Sequence, residues 1–311
     1  MRLPSVLSLC AGFLLLSLPA TAQPTATLTQ ASGGVEVLRA GVVRPGIVQL
    51  QHGDVVRVGA EGRATLLYRS GRSVRVGAGI SHTVASAAPA GGGSGWGAAC
   101  EALFSMLASV VGGSEDETMA AALSGGPLTE GPLLVLGSEG DPGPERTALG
   151  NAGPARIAWH PGSMPVDRYE VALYAHTQGA MELLERGETA DTAYYFAADL
   201  GRLLEAHGAL RIVVHPASAP TLRTELRLRA ASAAQRDAWE ALRESAAAEE
   251  DPTAQAGALA GWLAARGLLF DAEQVLSGAL RADPSSPALR ALSTATHRLA
   301  DAPITPDPSR R

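Results

Sequence analysis

The chain has 311 residues, 46 % of them apolar and 18 % charged, with a formal net charge of −6 at pH 7, a length and apolar content that suit two or three domains with real cores. All 25 basic residues are arginine, since lysine is absent; this excludes a P-loop lysine, a Schiff-base lysine and a Ser-Lys dyad, and it fits a GC-rich coding sequence. The 35 glycines and 20 prolines, set against 4 % aromatics, favour small β-modules, turns and linkers over one large enzyme core.

The first segment has Arg2, an apolar run from Val6 to Leu18, the breaker Pro19, and Ala20-Thr21-Ala22 before Gln23. That order is the order of a secretory signal peptide over residues 1–22, cleaved before Gln23. The run is shorter than the roughly 20 residues of a membrane-spanning helix; an uncleaved anchor is the alternative reading. Leu9 before Cys10 is not the small residue a lipobox needs. The expected location is periplasmic or secreted, with no membrane span after cleavage. Cys100 is then the sole cysteine, so an intramolecular disulfide is excluded; a buried thiol is expected, with an intermolecular disulfide as the alternative.

Residues 25–84 place apolar side chains at near-alternate positions. Val35 and Val37, Val48 and Leu50, Val56 and Val58, Ala64, Leu66 and Tyr68, and Val74 and Val76 each select one face of a short strand. Turn signals separate them at Ser32-Gly33-Gly34, His52-Gly53-Asp54, Gly59-Ala60-Glu61-Gly62 and Ser70-Gly71. The spacing predicts a small all-β module. Gly34-Val35-Glu36-Val37, then Leu50-Gln51-His52-Gly53-Asp54, then Gly62 to Tyr68 and Gly71 resemble the FecR domain. The resemblance implies a β-domain of exported bacterial proteins. Its regulatory members also carry a membrane helix and a cytoplasmic sigma-factor-binding segment, neither of which is found in this sequence, so transmembrane signalling is not carried over.

Residues 85–150 turn to Ala, Gly, Ser and Pro, with Gly91-Gly92-Gly93-Ser94-Gly95 at the start. Such composition buries too little apolar surface to offset its ordering entropy and predicts a linker. Within it, Leu103, Phe104, Leu107 and Val110 fall at helical spacing, so Cys100 to Val111 is expected as a short docking helix. Alternation returns over residues 154–229, at Ile157 and Trp159, Tyr169, Val171 and Leu173, Leu210, Ile212 and Val214, and Leu222, Leu226 and Leu228. An early tryptophan followed by Asp167-Arg168-Tyr169-Glu170-Val171 resembles an immunoglobulin or fibronectin type III β-sandwich.

From residue 232 to 300 the period becomes helical. Ala256, Leu259, Ala260, Leu263, Gly267, Ala272, Leu276, Ala279 and Pro284 match the small and apolar positions of a tetratricopeptide repeat. The flanking helix with Leu289, Leu292 and Leu299 is expected to cap one side, and the helix around Trp239 and Leu242 to join the sandwich on the other. Residues 301–311 are expected to be a disordered tail. The expected fold is therefore multidomain: an all-β FecR-like domain, a β-sandwich, and a short α-helical C-terminus.

Chemistry is hard to find. The seven histidines are scattered, with no His-Glu-x-x-His and no cysteine cluster, so no metal site, cofactor site or catalytic set is expected. Glu115-Asp116-Glu117 lacks the spaced ligands of a calcium loop. One cluster stands out. Arg39, Arg44, Arg57, Arg63, Arg69, Arg72 and Arg75 share the FecR-like segment with only Glu36, Asp54 and Glu61. Arg57, Arg63, Arg69, Arg72 and Arg75 are expected on one sheet face, either simply solvated or facing an anionic partner such as a cell-envelope polymer or an acidic envelope protein. Nucleic acid is not an expected partner. The functional expectation is a non-enzymatic scaffold or ligand-binding adaptor of the cell envelope. The alternative is a sensing component that relays ligand binding to a membrane partner, with a hydrolase of dispersed residues a distant third.

Overall fold

The computed structural model describes residues 24–44, 48–86, 95–111, 144–152, 155–159, 166–177 and 180–301. The expected signal peptide, residues 91–94 of the glycine run, the Glu115-Asp116-Glu117 cluster and residues 302–311 lie outside the described residues.

The first segment folds into β1 (Ala26–Ser32), β2 (Val35–Arg39), β3 (Val42–Val43), β4 (Gln49–Leu50), β5 (Val55–Val58), β6 (Arg63–Tyr68), β7 (Ser73–Val76) and β8 (Ser81–Thr83). They form two four-stranded antiparallel sheets, ordered β4-β1-β6-β7 and β3-β2-β5-β8. Leu28, Val37, Leu50, Val56, Val58, Leu66 and Val76 pack between them. The chain changes sheet between β1 and β2 at Gly33, where φ is +68° and a Cβ would stand 2.5 Å from the Glu61 carbonyl oxygen. Only glycine tolerates both the left-handed backbone and that approach.

The expected helix is longer than its sequence signal: α1 spans Gly95–Val111 and buries Ala99, Cys100, Leu103, Phe104, Met106 and Leu107. It is a core element, as a docking helix is expected to be, and begins at Gly95 instead of Cys100. The linker boundary at residue 150 also moves, because β9 (Glu145–Ala148) is already a sheet strand. After it come β10 (Arg156–Ala158), β11 (Tyr169–Thr177), β12 (Ala180–Thr189), β13 (Ala193–Tyr195), the helix α2 (Leu200–His207), β14 (Ala209–Pro216) and β15 (Thr224–Ala230). Five strands order as β12-β11-β14-β15-β9, with β9 parallel to β15, and the ribbon β10-β13 faces them. Ile157, Trp159, Tyr169, Leu173, Ile212 and Leu226 fill the space between, with Trp159 edge-on to Tyr169 at 5.1 Å.

The C-terminal part is helical, as its period predicts: α3 (Ala233–Ala246), α4 (Pro252–Ala265), α5 (Leu269–Ala282) and α6 (Pro287–Asp301). Leu263, Leu276, Leu289 and Leu292 are fully buried. Gly261 lets α4 touch α1, since a Cβ there would lie 2.7 Å from the Leu103 Cα. One capping expectation needs correction. Trp239 and Leu242 pack into the helical core shared with α1 and α4, not onto the sandwich. On the other side the capping expectation holds for Leu289 and Leu292, which α6 buries in the helical core against α4, α5 and α1. Only Leu299 departs from it, at 44 % exposed, and α6 also lies along β1, next to its N-terminal Ser286, whose Oγ donates to the Thr29 carbonyl at 2.9 Å.

α5 joins the modules. Phe270 enters the sandwich core, Asp271 accepts the Leu149 and Gly150 amides at 2.7 and 2.9 Å, and Gln274 both donates to and accepts from the Arg156 backbone. On the opposite side, Leu67 of β6 belongs to the helical core. The sheet β4-β1-β6-β7 is thus a middle layer, covered by β3-β2-β5-β8 on one face and by helices on the other.

Candidate anion-binding groove

The five expected arginines do not share a face. Arg57 lies on β5, in the sheet remote from the helices, 3.9 Å from Glu36. Arg69, in the turn after β6, points inward: its Nε is 3.3 Å from a Glu101 carboxylate oxygen and its guanidinium lies 5.4 Å from the Phe104 ring centroid, so it secures α1 instead of facing a ligand. Arg72 is exposed in the same turn. Alternation fixes which face of its own strand a residue takes, but the chain changes sheet between β5 and β6, so equivalent faces there are not coplanar. Arg39 is also removed from any ligand face. Its Nε and Nη2 hold buried Asp54 at 3.0 and 2.9 Å, and its Nη2 reaches the Gln49 carbonyl at 3.0 Å. Asp54 also accepts the Gln51 amide at 2.8 Å. The Gly53-Asp54 turn is therefore an internal brace.

Arg63 and Arg75 do come together. Arg75 on β7 pairs in register with Thr65 on β6, two residues from Arg63 and on the same face. That face meets the helices, and at its margin a groove of about 370 Å³ opens, lined by Gln30, Arg63, Thr65, Arg75, Asp251 and Pro252. One wall belongs to the β-module and the other to the entry of α4. The sequence offers no local signal for this site, because its walls are about 175 to 220 residues apart along the chain.

The charges in the groove are unequally committed. Asp251 caps α4, its Oδ1 accepting the Thr253 amide at 2.9 Å, and its Oδ2 accepts the Thr29 hydroxyl at 3.1 Å; the positive helix terminus offsets its charge. Arg75 lies 3.5 Å from Glu250 and donates to the Glu250 carbonyl at 3.3 Å, an exposed pair of small energetic worth. Arg63 has no side-chain partner among the described residues. A visiting anion would meet one free guanidinium and one held by a surface ion pair and a backbone carbonyl, both of Glu250, with Gln30 and Thr65 as polar neighbours. Nothing in the groove is arranged as nucleophile and base. Among the described residues, no group of three or more His, Cys, Asp or Glu side chains is placed to hold a metal ion, and no helix is long and apolar enough to cross a membrane.

Cys100 is fully buried in the helical core. Burial, with Glu249 and Glu101 adding, pushes its thiol up to about 12, which removes the thiolate that disulfide exchange requires. Comparisons with models of protein families, with curated proteins and with solved structures give no match to this chain.

Proposed function

We propose that the chain is a non-enzymatic adaptor of the bacterial cell envelope, exported by residues 1–22 to the periplasm or beyond. In this reading a FecR-like module, an immunoglobulin or fibronectin III-like sandwich and tetratricopeptide-like helices hold an anionic partner at their seam. The partner is an acidic envelope protein or an anionic envelope polymer. The observation that carries the reading is the convergence of Arg63 and Arg75 on a groove whose opposite wall is the start of α4. Paired guanidinium groups bind carboxylate and phosphate through charge-assisted hydrogen bonds. The sandwich identity is supported by strand order, in which the second and fifth strands of the module leave the five-stranded sheet to form the facing ribbon.

Crosslinking in intact cells followed by pull-down tests the proposal. The expected result is that an Arg63→Glu, Arg75→Glu protein, both changes being at exposed positions, captures its partner about tenfold less well than the parent, the loss typical of one or two charged contacts. Equal capture by both proteins would contradict it. The sensing alternative draws on one observation: the Arg75–Glu250 pair crosses the seam, so an anion that takes Arg75 releases Glu250 from the β-module. A relay then requires that an anion added at the groove change affinity for a membrane partner; an affinity indifferent to the anion rules the relay out.

A further inference from the structure

The five-stranded sheet has an outer face that the adaptor reading does not use. On β11, Tyr169, Val171, Leu173 and Ala175 point to the core, so Tyr174 and His176 point out. The pairing register places Arg211 opposite Tyr174, Arg227 opposite Arg211, and Glu145 opposite Arg227. Met181 on β12 stands opposite His176. Near this end of the sheet is a cavity of about 400 Å³, with polar edges at Glu145, His176, Arg211, Arg227 and Arg229 and apolar surface from Met181.

The arginines divide clearly. Arg211 is held by the buried carboxylate of Glu225, which also takes Arg223 Nε at 3.2 Å. Arg229 is held by Glu145 at 2.7 Å. Arg227 has its backbone amide fixed on the Pro144 carbonyl at 3.0 Å, but its guanidinium has no partner among the described residues. Like charges directly opposite each other on neighbouring strands are destabilising, and the Arg211–Arg227 pair is such a case: Glu225 holds Arg211, while Glu145, opposite Arg227 on its other side, is committed to Arg229. An anion at Arg227 would balance the second member of the pair. Across the cavity, three strands from Arg227, Met181 on β12 is 40 % exposed, a flexible apolar side chain of the kind that adapts to varied ligands. The volume is within the usual range for small-molecule sites, roughly 300–1,000 Å³, and such sites combine apolar walls with a few polar groups that fix orientation.

We infer that this cavity binds a small amphiphile with a single anionic head, the head on Arg227 and the apolar body over Met181. The site is separate from the seam groove and stands without it.

Titration of the full chain with n-hexyl phosphate tests the inference, with inorganic phosphate and hexanol as parallel probes, heats of binding as one readout and the methionine methyl NMR signals as another. Hexyl phosphate is expected to bind one to one, about tenfold or more tighter than inorganic phosphate since the chain adds apolar burial, and to shift the Met181 methyl. Arg227→Gln is expected to weaken it about tenfold, the scale of a lost charge-assisted hydrogen bond. Arg227 is exposed, and unchanged far-ultraviolet circular dichroism confirms that the variant is folded. Arg63→Glu, Arg75→Glu is expected to bind hexyl phosphate normally, which separates this site from the seam groove. Undiminished binding by Arg227→Gln, equal affinity for inorganic phosphate, or an unshifted Met181 methyl would each overturn the inference.

Discussion

Asp271 is the residue whose chemistry bears most directly on stability. It is wholly buried where α5 meets the end of β9, and burial raises its carboxyl to about 6 against the lowering effect of the two amides it accepts. A raised acid in the folded state keeps its proton where the unfolded chain has lost it. Its contribution to stability is therefore fully present below pH about 4 and is lost as pH rises through about 6, by about 3 kcal/mol in all for a shift of roughly two units. The expected outcome is that the melting-temperature difference between the parent and Asp271→Asn falls steadily from pH 4 to 6.5 and is flat above. A difference independent of pH would show that Asp271 does not titrate in that window. Sequence reading finds such residues poorly, since Asp271 is an ordinary acid at the start of a helix until the fold brings Leu149 and Gly150 to it. The arginines show the same limit. Their alternation was legible, but the division into ligand-facing Arg63 and Arg75, packing Arg69 and bracing Arg39 depends on which sheet each strand joins.

Elements with strong periodicity were legible, and those without it were not. β2, β4, β5, β6 and β7 and the α4–α5 pair follow the spacing of their apolar residues, whereas β1, β3 and β8 carry no such signal: β1 is buried on both faces and β3 on neither. β9 was missed: of Glu145-Arg146-Thr147-Ala148 only Ala148 joins the apolar core, and a parallel edge strand leaves no alternation to read. α2 was also missed although its signals are present, with Asp199 accepting the Arg202 amide at 3.1 Å, Leu200 and Leu204 one turn apart, and Gly208 left-handed at the end. The β1–β2 crossing carries a sharp test. Gly33→Ala forces a Cβ into the Glu61 carbonyl at positive φ, so a loss of a few kcal/mol is expected, at the upper end for a single strained backbone position. Chemical denaturation measures it; a loss below about 0.5 kcal/mol, the range of indifferent surface changes, would mean that the two sheets are not joined as described.

At the scale of the whole molecule, three modules share their interiors. Phe270 belongs to the sandwich core and its neighbours Leu269 and Ala272 to the helical core, while Leu67 brings the first β-module into that same helical core. Thr29 binds both Asp251 and Ser286 across the seam. Separate beads on a linker would expose all of these surfaces, and the groove between Arg63 and Asp251 would not exist. Composition alone suggested beads, because a sequence displays each module's own period but not the surfaces that modules present to each other. The most direct measurement is thermal unfolding followed at two places in one chain, with variants that retain only Trp159 in the sandwich or only Trp239 in the helical core, and with calorimetry beside them. One cooperative transition is expected, the two tryptophan signals coinciding with each other and with the heat absorbed. Two separated transitions, with Trp159 and Trp239 melting independently, would contradict a single body and with it the seam groove.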